Sequence, residues 1–160
     1  MKFIKNTSDI LLALGVVGKH RSPIKDFCID SRKAKQHSVF IGLTGSNEDG
    51  SNYCDDAFLN GAVLAIIKAK KGMNVNKLKN NTLYVSNPEK ALARLAQVAL
   101  KNFTGPVIGI TGSNGKTTTK NILSKGIKNS FSTFKNFNNE IGLPLCALML
   151  DSKNEAAVFE

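Results

Sequence analysis

The sequence predicts an α/β fold in two successive units, the second opening a parallel sheet. Three observations predict it. Short apolar runs of strand length alternate with stretches of helical period along the chain. Thr104-Gly105-Pro106 breaks that alternation once, after a long amphipathic segment. The run that follows, Val107–Thr111, is largely apolar and suits a strand covered on both faces, at the centre of a parallel sheet.

The elements follow in order. Ser8 or Asp9 caps a short helix through Ile10–Leu14, which Gly15 stops. Asp26–Asp30 and Ser38–Leu43 read as short strands, and Tyr53–Asn60 as a helix ended at Gly61. Val63–Lys68 and Thr82–Ser86 are apolar runs suited to buried strands; Gly72–Asn81, polar and rich in Asn and Lys, reads as a surface loop. Pro88–Phe103 is an amphipathic helix: Pro88 suits its first turn, and Leu92, Leu95, Ala96, Ala99 and Phe103 share one face as core packing. The second unit reads as a strand over Val107–Thr111, a helix from Lys116 to about Lys128 and a strand over Ser130–Phe134. An Asn-rich loop, a short apolar helix from Pro144 through Leu150 and a strand over Ala156–Glu160 complete it. That is a β-α-β-α-β progression, for which right-handed crossovers are expected. The boundaries expected are residues 1–86 for the first domain, 87–105 for a connecting helix and linker, and 106–160 for the start of the second.

Composition narrows the function. A chain of 160 residues with 42% apolar residues can bury a core as one domain or two small ones. No apolar run approaches a membrane span. Lys2 and Lys5 ahead of Ile10–Leu14 look like the front of a signal peptide, but Asp9 interrupts and no small-x-small site follows. Cys28, Cys54 and Cys146 lack C-x-x-C spacing, and His20 and His37 are scattered. This argues against a disulfide framework or a zinc site and for a reduced, cytoplasmic setting. The net charge of +10 raises a nucleic-acid partner. The lysines are dispersed, however, Arg is confined to Arg21, Arg32 and Arg94, and no aromatic residues interleave with them. Neither nucleic acid nor membrane is expected as a partner; the positive field suits small anionic substrates.

One motif carries chemistry on its own. In Thr111-Gly112-Ser113-Asn114-Gly115-Lys116-Thr117-Thr118, a Gly-rich turn follows a strand and opens a helix. Backbone N–H groups of such a turn point at phosphate oxygens, and the helix N-terminus adds partial positive charge. Lys116 would reach the outer phosphates and the Thr117 hydroxyl would ligate Mg²⁺. A bound ATP or GTP is the expected ligand. The first glycine of the usual G-x-x-x-x-G-K-[ST] spacing falls on Ile110, with Gly109 and Gly112 to either side. The alternative is a plain β–α turn with a surface lysine.

The form T-G-x-N-G-K-T-T is similar to the phosphate loop of the Mur ligases, which build the peptide of bacterial peptidoglycan. Downstream, Asn136-Phe137-Asn138-Asn139-Glu140-Ile141-Gly142-Leu143-Pro144 resembles the family's second signature. Upstream, Asp30-Ser31-Arg32, Val39–Leu43 and Glu48-Asp49-Gly50 resemble its N-terminal domain. The resemblance implies a small N-terminal α/β domain that binds a UDP-sugar, followed by the incomplete start of a phosphate-loop, parallel-sheet ATPase domain. It implies ATP-dependent amide-bond formation through an acyl phosphate, with ATP and Mg²⁺ as cofactors. Within the family it points to the branch that adds D-Ala-D-Ala to UDP-MurNAc-tripeptide. A sister ligase, or a non-catalytic nucleotide- or UDP-sugar-binding remnant, is the alternative. Folylpolyglutamate synthase shares mainly the ATPase core, and Asp30-Ser31-Arg32 argues against it.

The resemblance also assigns residues. Lys116 is the catalytic group on the γ-phosphate, with Gly112, Ser113, Asn114, Gly115, Thr117 and Thr118 around the phosphates. Glu160, at the end of Ala-Ala-Val-Phe-Glu, joins Thr117 at Mg²⁺; its alternative is a disordered terminal residue. Asn138 and Asn139, with Glu140, belong to the ATP and substrate cleft, or are simple turn residues. Ser31 and Arg32 lie near the uridine nucleotide, or Asp30–Arg32 only braces its loop. Gly45, Asp49 and Gly50 shape a loop. The chain is expected to be the front part of a longer ligase, without turnover by itself.

Overall fold

The computed structural model describes residues 2–45, 48–133 and 137–160. Two compact units form, Ile4–Leu95 and Ala96–Glu160, the second joined by Lys2 and Phe3.

The first unit begins with helix α1 (Thr7–Ala13). Its cap is Asn6 rather than Ser8 or Asp9: the Asn6 side chain accepts from Asp9 N while the Asp9 carboxylate reaches back to the Asn6 amide, 3.1 Å away. Asp9 thus serves as the far half of a capping box, a role that sequence alone does not distinguish from the cap itself. Gly15 follows the helix in the left-handed conformation, φ 67°.

Strands β1 (Asp26–Cys28), β2 (Ser38–Gly42), β3 (Ala62–Lys68), β4 (Lys77–Lys79) and β5 (Thr82–Val85) form one sheet in the order β1-β2-β3-β5-β4. All neighbours are parallel except β4, which pairs antiparallel with β5. β4 lies inside the stretch expected as a loop. It sits at the sheet edge with its two lysines exposed, which hides it from any apolar pattern. β2 is buried at all five positions. Phe40, Ala65 and Ile67 on one face pack with Ala57 of helix α2 (Cys54–Leu59). Val39, Ile41, Leu64, Ile66 and Leu83 on the other are wholly buried. A 3₁₀ turn, Gly50–Tyr53, precedes α2 and takes up the start of the helix expected there.

Helix α3 (Pro88–Asn102) runs through the division between the units, and its expected apolar face is buried throughout. The second unit contains β6 (Val107–Gly109), helix α4 (Lys116–Gly126), β7 (Phe131–Ser132), helix α5 (Gly142–Ala147) and β8 (Ala157–Phe159). Its sheet is parallel with order β6-β8-β7. Among the described residues β6 pairs with β8, and Val107 is 50% exposed. β8, last in the chain, holds the centre, and its Ala157 packs with Phe103 and Leu150. Phe134, the expected end of the second strand, and Asn136, the head of the second signature, lie outside the described residues.

Candidate functional site

The Gly-rich loop joins β6 to α4 in the order its sequence requires. Gly115 stands immediately before α4 at φ 78°, a conformation a side chain resists, and this lets the chain turn directly from loop into helix. Among the described residues no protein group accepts the N–H of Ser113, Asn114 or Gly115, which leaves these donors open to an anion. Lys116 folds back over the loop, its Nζ donating to the Gly112 carbonyl at 2.8 Å. Thr119 closes the first turn of the helix by donating its hydroxyl to the Gly115 carbonyl at 2.9 Å.

Beneath the loop, residues distant in sequence converge. The Thr117 hydroxyl donates to Glu160 Oε1 at 2.8 Å, across 43 positions of chain. Lys120 Nζ pairs with Glu160 Oε2 at 2.9 Å, with the two side chains only 7% and 9% exposed. The Glu160 amide donates to Thr133 Oγ1 at 3.2 Å, so its backbone is pinned as well. The hydrogen bonds from Lys120 and Thr117 hold the Glu160 carboxyl below the usual carboxylate range. Glu160 belongs to this cluster, directly after β8, at the sheet end where ligands of parallel sheets collect.

Thr117 and Glu160 present hard oxygen donors side by side. Among the described residues no three His, Cys, Asp or Glu side chains gather to form a closed metal cage. Mg²⁺ characteristically takes one or two protein oxygens and completes its shell with phosphate and water, so this donor set fits it.

The second signature leads into α5. Asn139 Oδ1 accepts from the amides of Ile141 and Gly142 at 3.2 and 2.7 Å, so its carbonyl braces the helix start. A Cβ on Gly142 would meet Phe137 Cα at 2.5 Å, which explains a glycine there. Asn138 is exposed.

Asp30-Ser31-Arg32 lies in the first unit, just past the end of β1. Asp30 caps a 3₁₀ turn, Ser31–Lys33, and takes the Arg32 guanidinium in a fork at 2.9 and 3.0 Å. Arg32 holds the Asp30 carboxyl below its usual range. Ser31 is buried, its carbonyl accepting from Asn60 at 3.1 Å. With Gly45, Gly50 and Tyr53 these residues line a cavity of about 550 Å³ at the C-terminal ends of β1 and β2. Gly50 N–H donates to the Leu43 carbonyl at 2.9 Å, fixing that loop.

Sequence reasoning missed Lys120 and Thr133. Lys120 lies one helical turn beyond Lys116, a spacing that puts both on one side of α4. Nothing in the sequence marks Thr133 except its place after a short strand.

Comparison with known proteins adds the context. A family model described as "Mur ligase family, catalytic domain" matches residues 23–99, and one described as "Mur ligase middle domain" matches residues 110–160. The UDP-N-acetylmuramoyl-tripeptide–D-alanyl-D-alanine ligase of Bacillus subtilis is 38% identical over 82% of this chain and 29% of its own length. The ligase of the same name from Buchnera aphidicola is 32% identical over 100% of the chain and 35% of its own length. A 2,6-diaminopimelate ligase from Lawsonia intracellularis is 37% identical, but over 57% of the chain and 19% of its own length. Among solved structures, MurF from Acinetobacter baumannii matches with a TM-score of 0.81 at 27% identity, over 96% of this chain and 34% of that one. MurF ligase from Thermotoga maritima in complex with ADP matches with a TM-score of 0.72 at 36% identity, over 85% of this chain and 31% of that one. The chain thus spans about a third of the length of the D-alanyl-D-alanine ligases it matches.

Proposed function

We propose that this chain, which belongs to the Mur ligase family, carries the nucleotide loop and UDP-sugar domain of an ATP-dependent ligase joining D-Ala-D-Ala to UDP-MurNAc-tripeptide. The observation that carries this reading is the convergence of Thr117 and Glu160 beside a loop of open amides. Residues 1–86 form the sugar-nucleotide domain, 87–105 connect, and 106–160 open the ATP-binding domain. Relatives named for D-Ala-D-Ala addition cover far more of the chain than the diaminopimelate ligase does, so that branch is favoured over the sister ligase that adds diaminopimelate.

Each group then has a task. The amides of Gly112, Ser113, Asn114 and Gly115 hold phosphate oxygens, with Thr118 completing the first turn behind them. Lys116 exchanges the Gly112 carbonyl for the γ-phosphate and offsets its charge as it transfers. Thr117 points its hydroxyl hydrogen at Glu160 in a hydrogen bond, so its oxygen lone pairs and the ionised carboxylate would hold Mg²⁺. Mg²⁺, when bound, neutralises charge developing on the phosphates. The peptide carboxylate attacks the γ-phosphorus, the bond to the bridging oxygen breaks, and ADP leaves an acyl phosphate. The D-Ala-D-Ala amine then attacks that carbonyl, forms the amide and expels phosphate. Asn138 and the free amide donors of Asn139 contact substrate. Ser31 and Arg32 hold the sugar nucleotide in the cavity of the first unit, the exposed guanidinium facing its diphosphate.

Two titrations test the reading, one with a fluorescent ATP analogue and Mg²⁺ and one with UDP-MurNAc-tripeptide. Lys116→Ala should weaken the nucleotide by roughly 100-fold and leave the sugar nucleotide untouched. Arg32→Ala should do the reverse, more mildly. Unchanged nucleotide binding in Lys116→Ala would sink the proposal.

A further inference from the structure

Lys120 has no part in the phosphate cradle, yet its ammonium is buried. Lysines usually carry their charge to water along a flexible stem. Here the side chain is 7% exposed and its charge is met by Glu160 Oε2 at 2.9 Å. The other carboxylate oxygen, Oε1, faces Thr117 at 2.8 Å. The two oxygens thus serve different sides. Both backbones are also tied: the Glu160 amide donates to Thr133, and the Ser124 hydroxyl donates to the Lys120 carbonyl at 2.7 Å.

We propose that Lys120 is a positioning residue that keeps Glu160 a one-oxygen ligand and so makes the cation site select Mg²⁺ over Ca²⁺. The inference rests on the Mg²⁺-nucleotide reading above. Mg²⁺ demands compact octahedral geometry and keeps several waters, which one carboxylate oxygen serves. Ca²⁺ accepts more oxygens in flexible geometry and readily takes both oxygens of one carboxylate. Two-oxygen binding at Glu160 would strip Lys120 of its partner and leave a buried charge unpaired, a costly state. The positive charge of Lys120 opposes both divalent cations alike, so the discrimination comes from geometry.

The test is nucleotide binding, read with a fluorescent ATP analogue at saturating Mg²⁺ or Ca²⁺. Wild type should bind more tightly with Mg²⁺. Lys120→Met should shift the Mg²⁺:Ca²⁺ affinity ratio toward Ca²⁺ by about tenfold. Lys120→Arg, which keeps a cationic donor on Oε2, should retain the Mg²⁺ preference. A purely structural role would weaken both cations together and leave the ratio in place; that result overturns the inference. So does a wild-type protein that binds nucleotide equally well with either cation, an outcome that needs no variant to fold. Wild type binding no nucleotide with either cation would instead defeat the ligase reading itself.

Discussion

Two ion pairs of this chain, one in each unit, are opposites. Asp30–Arg32 is made by residues two positions apart, with the arginine side chain 87% exposed. Lys120–Glu160 joins helix α4, behind the Gly-rich loop, to the end of β8, with both side chains nearly sealed from water. The first belongs to a unit whose sheet is buried on both faces. The second belongs to a unit whose first strand, β6, has Val107 half-exposed. In the first unit Asp30, Ser31 and Arg32 ride on a local turn. In the second, a buried polar cluster ties helix to strand. Exposed pairs contribute little to stability, whereas breaking one partner of a buried pair leaves an uncompensated charge.

The contrast between the sheets should be the easiest to break. Leu64→Ala, at a fully buried position of β3, is expected to destabilise the first unit by about 2–5 kcal/mol. Val107→Ala, half-exposed on β6, should change stability by less than about 0.5 kcal/mol. Urea unfolding of both variants decides; similar losses would mean that β6 contributes to a core as much as β3 does. Next in size, Gly142→Ala must push against backbone and should cost about 1–3 kcal/mol. A neutral result there would show that the loop before α5 yields freely.

The smallest effect sharpens the comparison of ion pairs. Glu160 and Asp30 both ionise below the usual carboxylate range, the first through Lys120 and then Thr117, the second through Arg32. The unfolded chain therefore binds protons more readily at both, and their stabilisation is complete above the usual carboxylate range. It is lost as the pH falls through each lowered native value. Glu160→Gln should flatten the acid side of the stability–pH curve more than Asp30→Asn, because solvent screens the exposed pair. Equal flattening, measured as urea midpoints across the acid range, would contradict that ranking.

Much of this was legible in one dimension. The buried stripe of α3, strands β1, β2, β3 and β5, and the loop-to-helix passage at Gly115–Lys116 follow from local spacing, and local spacing is what a sequence displays. β4 escaped because an exposed edge strand carries no apolar signature. The cap of α1 escaped because Asn6 and Asp9 share the work.

By itself the sequence determined the α/β alternation, the Gly-rich turn into a helix and the candidate set Lys116, Thr117 and Glu160, since each depends on residues adjacent in the chain or on a recognisable signature. Tertiary structure alone decided the order β6-β8-β7, and with it the meeting of Thr117, Lys120, Thr133 and Glu160. Strand order is a choice among long-range pairings. Only after β8 enters between β6 and β7 does its last carboxylate arrive beneath the loop, where a buried lysine can hold it.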